Sequence, residues 1–142
     1  MIRTVRENIN AAYDLHDMNV ISLEANGNDL ILRTQSGMIK IMPPSSPIPS
    51  DQVDGHVEFH EVDWDFCFVY LLEHNGNIGK FKGEKLMLSD FIKKYPIFGF
   101  SVMDTAYGYN MTKYSGYLTS QRKFYECFIE IYHKGDMVFV EE

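Results

Sequence analysis

From Met18 onward the chain reads MNVISLEANGNDLILRTQSGMIKIM, in which apolar and polar side chains take turns. Successive side chains of a strand point to opposite faces, so this period of two predicts strands with one buried face. Asn26-Gly27 is a strong hairpin signal, because both central residues of a type I′ turn need positive φ. Ser36-Gly37 reads as a second tight turn. Two-residue turns at these points pair Leu23 with Leu30, Ile21 with Leu32, Leu32 with Ile41 and Thr34 with Ile39. One face then carries Ile21, Leu23, Leu30, Leu32, Ile39 and Ile41, and the other carries Ser22, Glu24, Asp29, Arg33 and Lys40. A slip of one residue would mix the two sets, which fixes the expected register.

The pattern stops at PPSSPIPSDQVDG, residues 43–55, where proline removes ladder donors and predicts a loop. It resumes in HVEFHEVDWDFCFVYLL with a change of phase. Val57 and Phe59 put the apolar side on odd positions, whereas from Val62 to Leu72 the even positions are apolar throughout. The flip at residues 60–62 predicts a bulge or a strand break. A third Asn-Gly turn, Asn75-Gly76, would set Phe66, Phe68, Tyr70, Leu72 and Phe81 on one face. Cys67, Val69 and Leu71 then share the opposite face with Lys80 and Lys82.

Ser89 is placed to cap a short helix, DFIKKY, that Pro96 stops, with Phe91, Ile92 and Tyr95 toward the sheet. IFGFSVM, TKYSGYLT, KFYECFIEIYH and MVFVE read as further strands, the last two joined through HKGD so that Cys127, Ile129 and Ile131 line up with Val138 and Val140. Residues 1–16 read as an N-terminal arm or a short helix with Ile2, Val5, Ile9 and Ala12 on one stripe. The whole predicts a single domain over residues 1–142, mainly β within the α+β range. It is an antiparallel meander of about ten short strands with one or two short helices, forming a bent sheet, a sandwich or a barrel.

Charge adds a location to this picture. The formal net charge is −7, and residues 41–79 hold no Lys or Arg but contain Asp51, Asp54, Glu58, Glu61, Asp63, Asp65 and Glu73. The remaining acids and bases cancel. Phosphate backbones need Lys and Arg, so nucleic acid is not an expected partner, and a cationic protein is. No apolar run is long enough to span a bilayer, and MIRTVRENIN lacks the apolar core of a secretory signal, so neither a membrane nor export is expected. Cys67 and Cys127 sit in apolar runs, as reduced buried thiols of a cytoplasmic protein would.

Candidate chemistry concentrates in two stretches. On a strand His56, Glu58 and His60 share a face, but the two imidazoles lie roughly 13 Å apart by the strand rise, too far for one metal. Either His could serve a metal only with ligands from elsewhere. Glu61, Asp63 and Asp65 would line one face beyond the phase flip, as a solvated edge or a docking patch, and Asp54 and Glu58 extend it. The second stretch, residues 104–117, interleaves Tyr107, Tyr109, Tyr114 and Tyr117 with Gly and polar residues, a composition suited to contacts with proteins or sugars. GxSxG, a Walker loop, GxGxxG and CxxC are all absent, so no catalytic residue, cofactor or metal is assigned and a non-enzyme is favoured.

Leu15-His16-Asp17 followed at once by the first hairpin resembles the start of small bacterial proteins, some of which are similar to immunity proteins of polymorphic toxin systems. The resemblance covers about the first quarter of the chain and implies a cytoplasmic protein that works by binding. The expectation is a protein-interaction domain that inhibits a basic toxin through an acidic surface. The alternative is a small-ligand binder or hydrolase with its site inside a curved, aromatic-rich sheet. An exposed sheet edge also allows a homodimer.

Overall fold

The computed structural model describes residues 1–7, 11–74 and 81–142, apart from the side chains of His74 and Phe81. Thirteen strands are found among them: β1 (Ile2–Val5), β2 (Tyr13–Asp14), β3 (Asn19–Asn26), β4 (Asp29–Thr34), β5 (Met38–Lys40), β6 (Asp51–Val53), β7 (Gly55–Phe59), β8 (Phe68–His74), β9 (Phe81–Met87), β10 (Gly99–Gly108), β11 (Met111–Ser120), β12 (Lys123–Tyr132) and β13 (Met137–Glu141). One helix, α1 (Leu88–Lys94), and a 3-10 turn, Trp64–Phe66, complete the set. The protein is mainly β, as the alternation predicts. None of these helices is long and apolar enough to cross a membrane.

Ten strands form one antiparallel sheet in the order β1-β13-β7-β4-β3-β10-β11-β12-β8-β9, and β2-β5-β6 form a small second sheet. Among the described residues the large sheet keeps two free edges, β1 and β9, so it is bent rather than closed. Its narrow point is the β3–β10 seam, where only Val20↔Phe100 and Asn19↔Ser101 pair. The two halves fold toward each other about this seam. Phe59 of β7 meets Tyr114 of β11 edge-on, with ring centroids 6.5 Å apart, and approaches His133 at 5.2 Å. One cluster of buried side chains runs from Tyr13 and Leu15 through Leu30, Leu32 and Phe100 to Ile129, Ile131 and Phe139.

The hairpin expectations need several corrections. In the first hairpin Asn26 pairs with Asp29, so Leu23 faces Leu32 and Ala25 faces Leu30. Gly27, with φ +63°, takes the first central turn position rather than the second. A register irregularity between Val20 and Ser22 turns Val20 inward and leaves Ile21 exposed. The β4–β5 hairpin does not form. Gly37, at φ +81°, packs its Cα against the Val53 carbonyl and sends β5 away to pair with β2 and β6, while β7 takes the open edge of β4. Ile41 is consequently exposed and Met38 buried. The Pro-rich stretch is a loop only to residue 50, since β6 and the start of β7 lie at its end.

The final hairpin is absent too. β12 is already flanked by β11 and β8, so the chain crosses through residues 133–136 to the other half, where β13 pairs with β7 and β1. At the N-terminus Ile2 to Val5 add a strand to β13 instead of forming a helix; Ile9 lies outside the described residues. Cys67, just before β8, and Val69 and Leu71 within it form the inner face, and Lys85 covers the outer Phe68 and Tyr70 rings at 4.2 and 5.5 Å. Asn75-Gly76 and Lys80 fall outside the described residues; the ladder closes at His74↔Phe81. Helix α1 begins at Leu88 with Met87 as its cap residue, so Ser89 lies inside it, and Leu88 joins Phe91 in the core.

Candidate functional site

The phase flip marks a strand break. β7 ends at Phe59, Glu61 adopts φ +50°, and Val62 makes an isolated bridge to His133 before the 3-10 turn. Before the break, His56, Glu58 and His60 do share the outer face, and Glu58 holds that face together. Arg3 of β1 donates from Nη1 and Nη2 to the two Glu58 oxygens at 3.1 and 2.7 Å. His56 Nε2 lies 3.2 Å from one of these oxygens and His60 Nε2 lies 3.1 Å from the other. The outer nitrogens reach Glu142 (His56 Nδ1, 3.1 Å) and Asp29 (His60 Nδ1, 3.2 Å). Both nitrogens of each ring are thus committed to carboxylates. Among the described residues no group of His, Cys, Asp and Glu is arranged to hold a metal ion. This face fastens the N-terminal edge strand and the C-terminal residue onto β7.

The Arg3 hydrogen bonds pull the Glu58 carboxyl from 4.5 down to about 2, with His56 assisting against partial burial. A carboxylate whose folded pKa is depressed stabilises the fold above its unfolded pKa, and that contribution disappears as pH falls through the folded value. The full shift corresponds to at most about 3 kcal/mol. Screening around the half-exposed Arg3 reduces this to about 1–2 kcal/mol. Glu58→Gln is therefore expected to lose about 1–2 kcal/mol at pH 7, with the gap to the parent closing between pH 4.5 and 2. Denaturant titrations across that range measure it; a gap of equal size at both ends contradicts the assignment.

Beyond the break, separate connections meet at one end of the sheet. Val62 N donates to Asn28 O at 2.7 Å, Lys134 N to Glu61 O at 2.9 Å, His60 N to Asp136 O at 2.9 Å and His133 N to Asn110 O at 2.9 Å. Glu61 N also donates to Asp29 Oδ1. These bonds tie the 26–29 turn, the 60–66 connection, the 108–111 turn and the 133–136 turn together. Asp29, Glu61, Asp63, Asp65 and Asp136 are thereby gathered at one end. Lys134 reaches Asp63 at 3.9 Å. Tyr109, at the tip of the 108–111 turn, is 90% exposed beside them.

The remaining candidates divide clearly. Asp54 is exposed at the opposite end of β7, where its carbonyl accepts from Glu142 N. Glu58 is engaged as described. Tyr107 is half-buried with the Arg6 guanidinium 4.4 Å from its ring centre. Tyr117 stacks on Phe124 toward the far end of β11, away from the acidic loops. Tyr114 is fully buried between the two halves, so no partner reaches it, and its assignment to a binding surface is withdrawn. Sequence reading passed over Asp29 and Asp136, because their nearness to Glu61 comes from loops that only the fold brings together.

Both cysteines are free and buried, and burial raises Cys67 to about 11 and Cys127 further, opposite to what a thiolate nucleophile needs. His133 receives the Thr112 hydroxyl at Nε2 (2.9 Å) and donates from Nδ1 to Gly135 O (3.0 Å). Both side chains are buried, and the pair pins the 133–136 turn to β11. Comparison with protein-family models, with curated proteins and with solved structures found no significant match to the chain.

Proposed function

We propose that this protein is a non-enzymatic interaction domain that captures a cationic protein surface through its acidic loop end, the mode of action of an immunity-type inhibitor of a basic toxin. The observation that supports the reading is the gathering of Asp29, Glu61, Asp63, Asp65 and Asp136 by backbone hydrogen bonds around the exposed Tyr109. Fixed carboxylates steer a basic partner from a distance, and a rigid exposed aromatic ring supplies contact area at low entropic cost. Glu58 contributes to the scaffold of this surface rather than to contact, since Arg3, His56 and His60 already occupy it.

The test begins with capture from cell extract at low and moderate salt, followed by titration of the purified partner. Changing Glu61→Gln, Asp63→Asn and Asp65→Asn together is expected to weaken association about tenfold, at about 0.5 kcal/mol for each exposed charge. The salt dependence should flatten in the same variant. Tyr109→Ala should weaken binding without changing the salt slope. An affinity indifferent to both changes refutes this reading.

A further inference from the structure

Edge strand β9 carries a charge pattern that its own chain leaves partly unused. β8 pairs with one side of it, and among the described residues no strand pairs with the other. Lys82, Gly83, Glu84 and Lys85 are all exposed along this edge. Lys82 and Glu84, two positions apart, share the face toward α1, where both line a cavity with Lys94. Glu84 is held by Lys94 at 2.8 Å. Lys82 lies opposite Glu73 in the β8 ladder yet makes no ion pair with it, nor with any other described residue. Between the two charges stands Gly83. Glycine weakens a strand interior and often marks the close approach of another backbone. The φ of Gly83 is not positive, so its conformation does not demand glycine. A Cβ there would crowd only the tip of Leu72, at 3.1 Å, and that flexible methyl can turn aside. Neither conformation nor packing among the described residues requires glycine at this place.

We infer that β9 is a self-association edge, on which a second copy of this chain pairs antiparallel about a two-fold axis beside Gly83. Such an axis stands normal to the sheet, so it sets each residue opposite one on the same face. Every allowed register is therefore centred on a residue, and the four exposed positions 82–85 offer four of them. Centring on Lys82, Glu84 or Lys85 sets that charge directly against its own copy, which destabilises the pair. Centring on Gly83 puts Lys82 of each copy opposite Glu84 of the other, with the two glycines facing each other at the axis. Both cross-strand pairs are then complementary. Registers further along run into α1, which begins at Leu88. An edge lysine ordinarily deters pairing with another sheet. Here the matching acid lies two positions along the same strand, so the lysine deters unlike partners and not a second copy. The other edge, β1, is four residues long, and its Arg3 is committed to Glu58. The β9 edge shares no residue with the acidic loop end.

The experiment is sedimentation velocity of the whole chain over a range of concentrations, with thermal melting followed by circular dichroism to check folding. The parent is expected to form a reversible dimer. Lys82→Glu and Glu84→Lys each set like charges opposite one another in both pairs, and each should weaken the dimer at least about tenfold. Both positions are exposed, so both variants should keep the cooperative melting of the parent. Mixing the two variants in equal amounts restores opposite charges in both pairs, and dimers should return. A parent that stays monomeric at about 0.5 mM overturns the proposal. So does a dimer indifferent to both substitutions, which would place the contact elsewhere, β1 included. Variants that dissociate but form no dimer on mixing overturn it as well, since the register centred on Gly83 requires the rescue.

Discussion

Phe59→Ala is expected to destabilise the protein by about 3–5 kcal/mol, and to lower its melting temperature by about 10 °C or more. Phe59 is fully buried at the last position of β7, directly opposite Leu30 on one side and Met137 on the other. Its ring reaches across the bend to Tyr114 and His133. The substitution removes a large apolar surface and leaves a cavity where the two halves of the sheet meet. That position has little freedom to collapse, because strands on both sides hold the backbone by ladder hydrogen bonds. Phe59→Leu keeps much of the apolar volume and should lose less than about half as much. Denaturant unfolding of both variants measures the effect. A loss below about 1 kcal/mol for Phe59→Ala would mean that the halves do not close on each other as described.

The elements were readable because their signals are local. Alternation in MNVISLEANGNDLILRT marks two strands, and the change of phase at residues 60–62 marks the break that ends β7. What escaped was pairing between distant segments. Adjacent strands pair with each other only about two-thirds of the time. β4–β5 and β12–β13 belong to the other third. Register within the first hairpin failed for a different reason: a glycine can take either central position of a tight turn, and Gly27 takes the first. The site shows the same division. Residues 51–65 announce their charge in the sequence, but Arg3, which fixes Glu58, is separated from it by 55 positions. The acids on the 26–29 and 133–136 turns join Glu61 only through backbone bonds that no spacing rule encodes.

Gly116→Ala should cost more than about 3 kcal/mol or leave the chain insoluble, although it adds one methyl group. Gly116 is buried in the middle of β11, between Val102 of β10 and Cys127 of β12. The β10 ladder shifts register between Val102 and Asp104, and the shift brings the neighbouring strand close at this point. A Cβ on residue 116 would sit well inside contact distance of the Ser101 carbonyl oxygen and 3.1 Å from Met103 N. Those are backbone atoms held in ladders, so they cannot rotate away as a flexible side chain would. Gly27→Ala provides the contrast. Its Cβ would meet open space, and only the left-handed φ of +63° opposes it, at a cost of about 1–2 kcal/mol. The two alanines are expected to differ severalfold in cost. Labelling of the buried Cys127 thiol will rise only in the Gly116 variant, because its seam with β10 must open. Equal costs and unchanged thiol labelling would show that β10 and β11 have room to spare, and that the bulge does not press on residue 116.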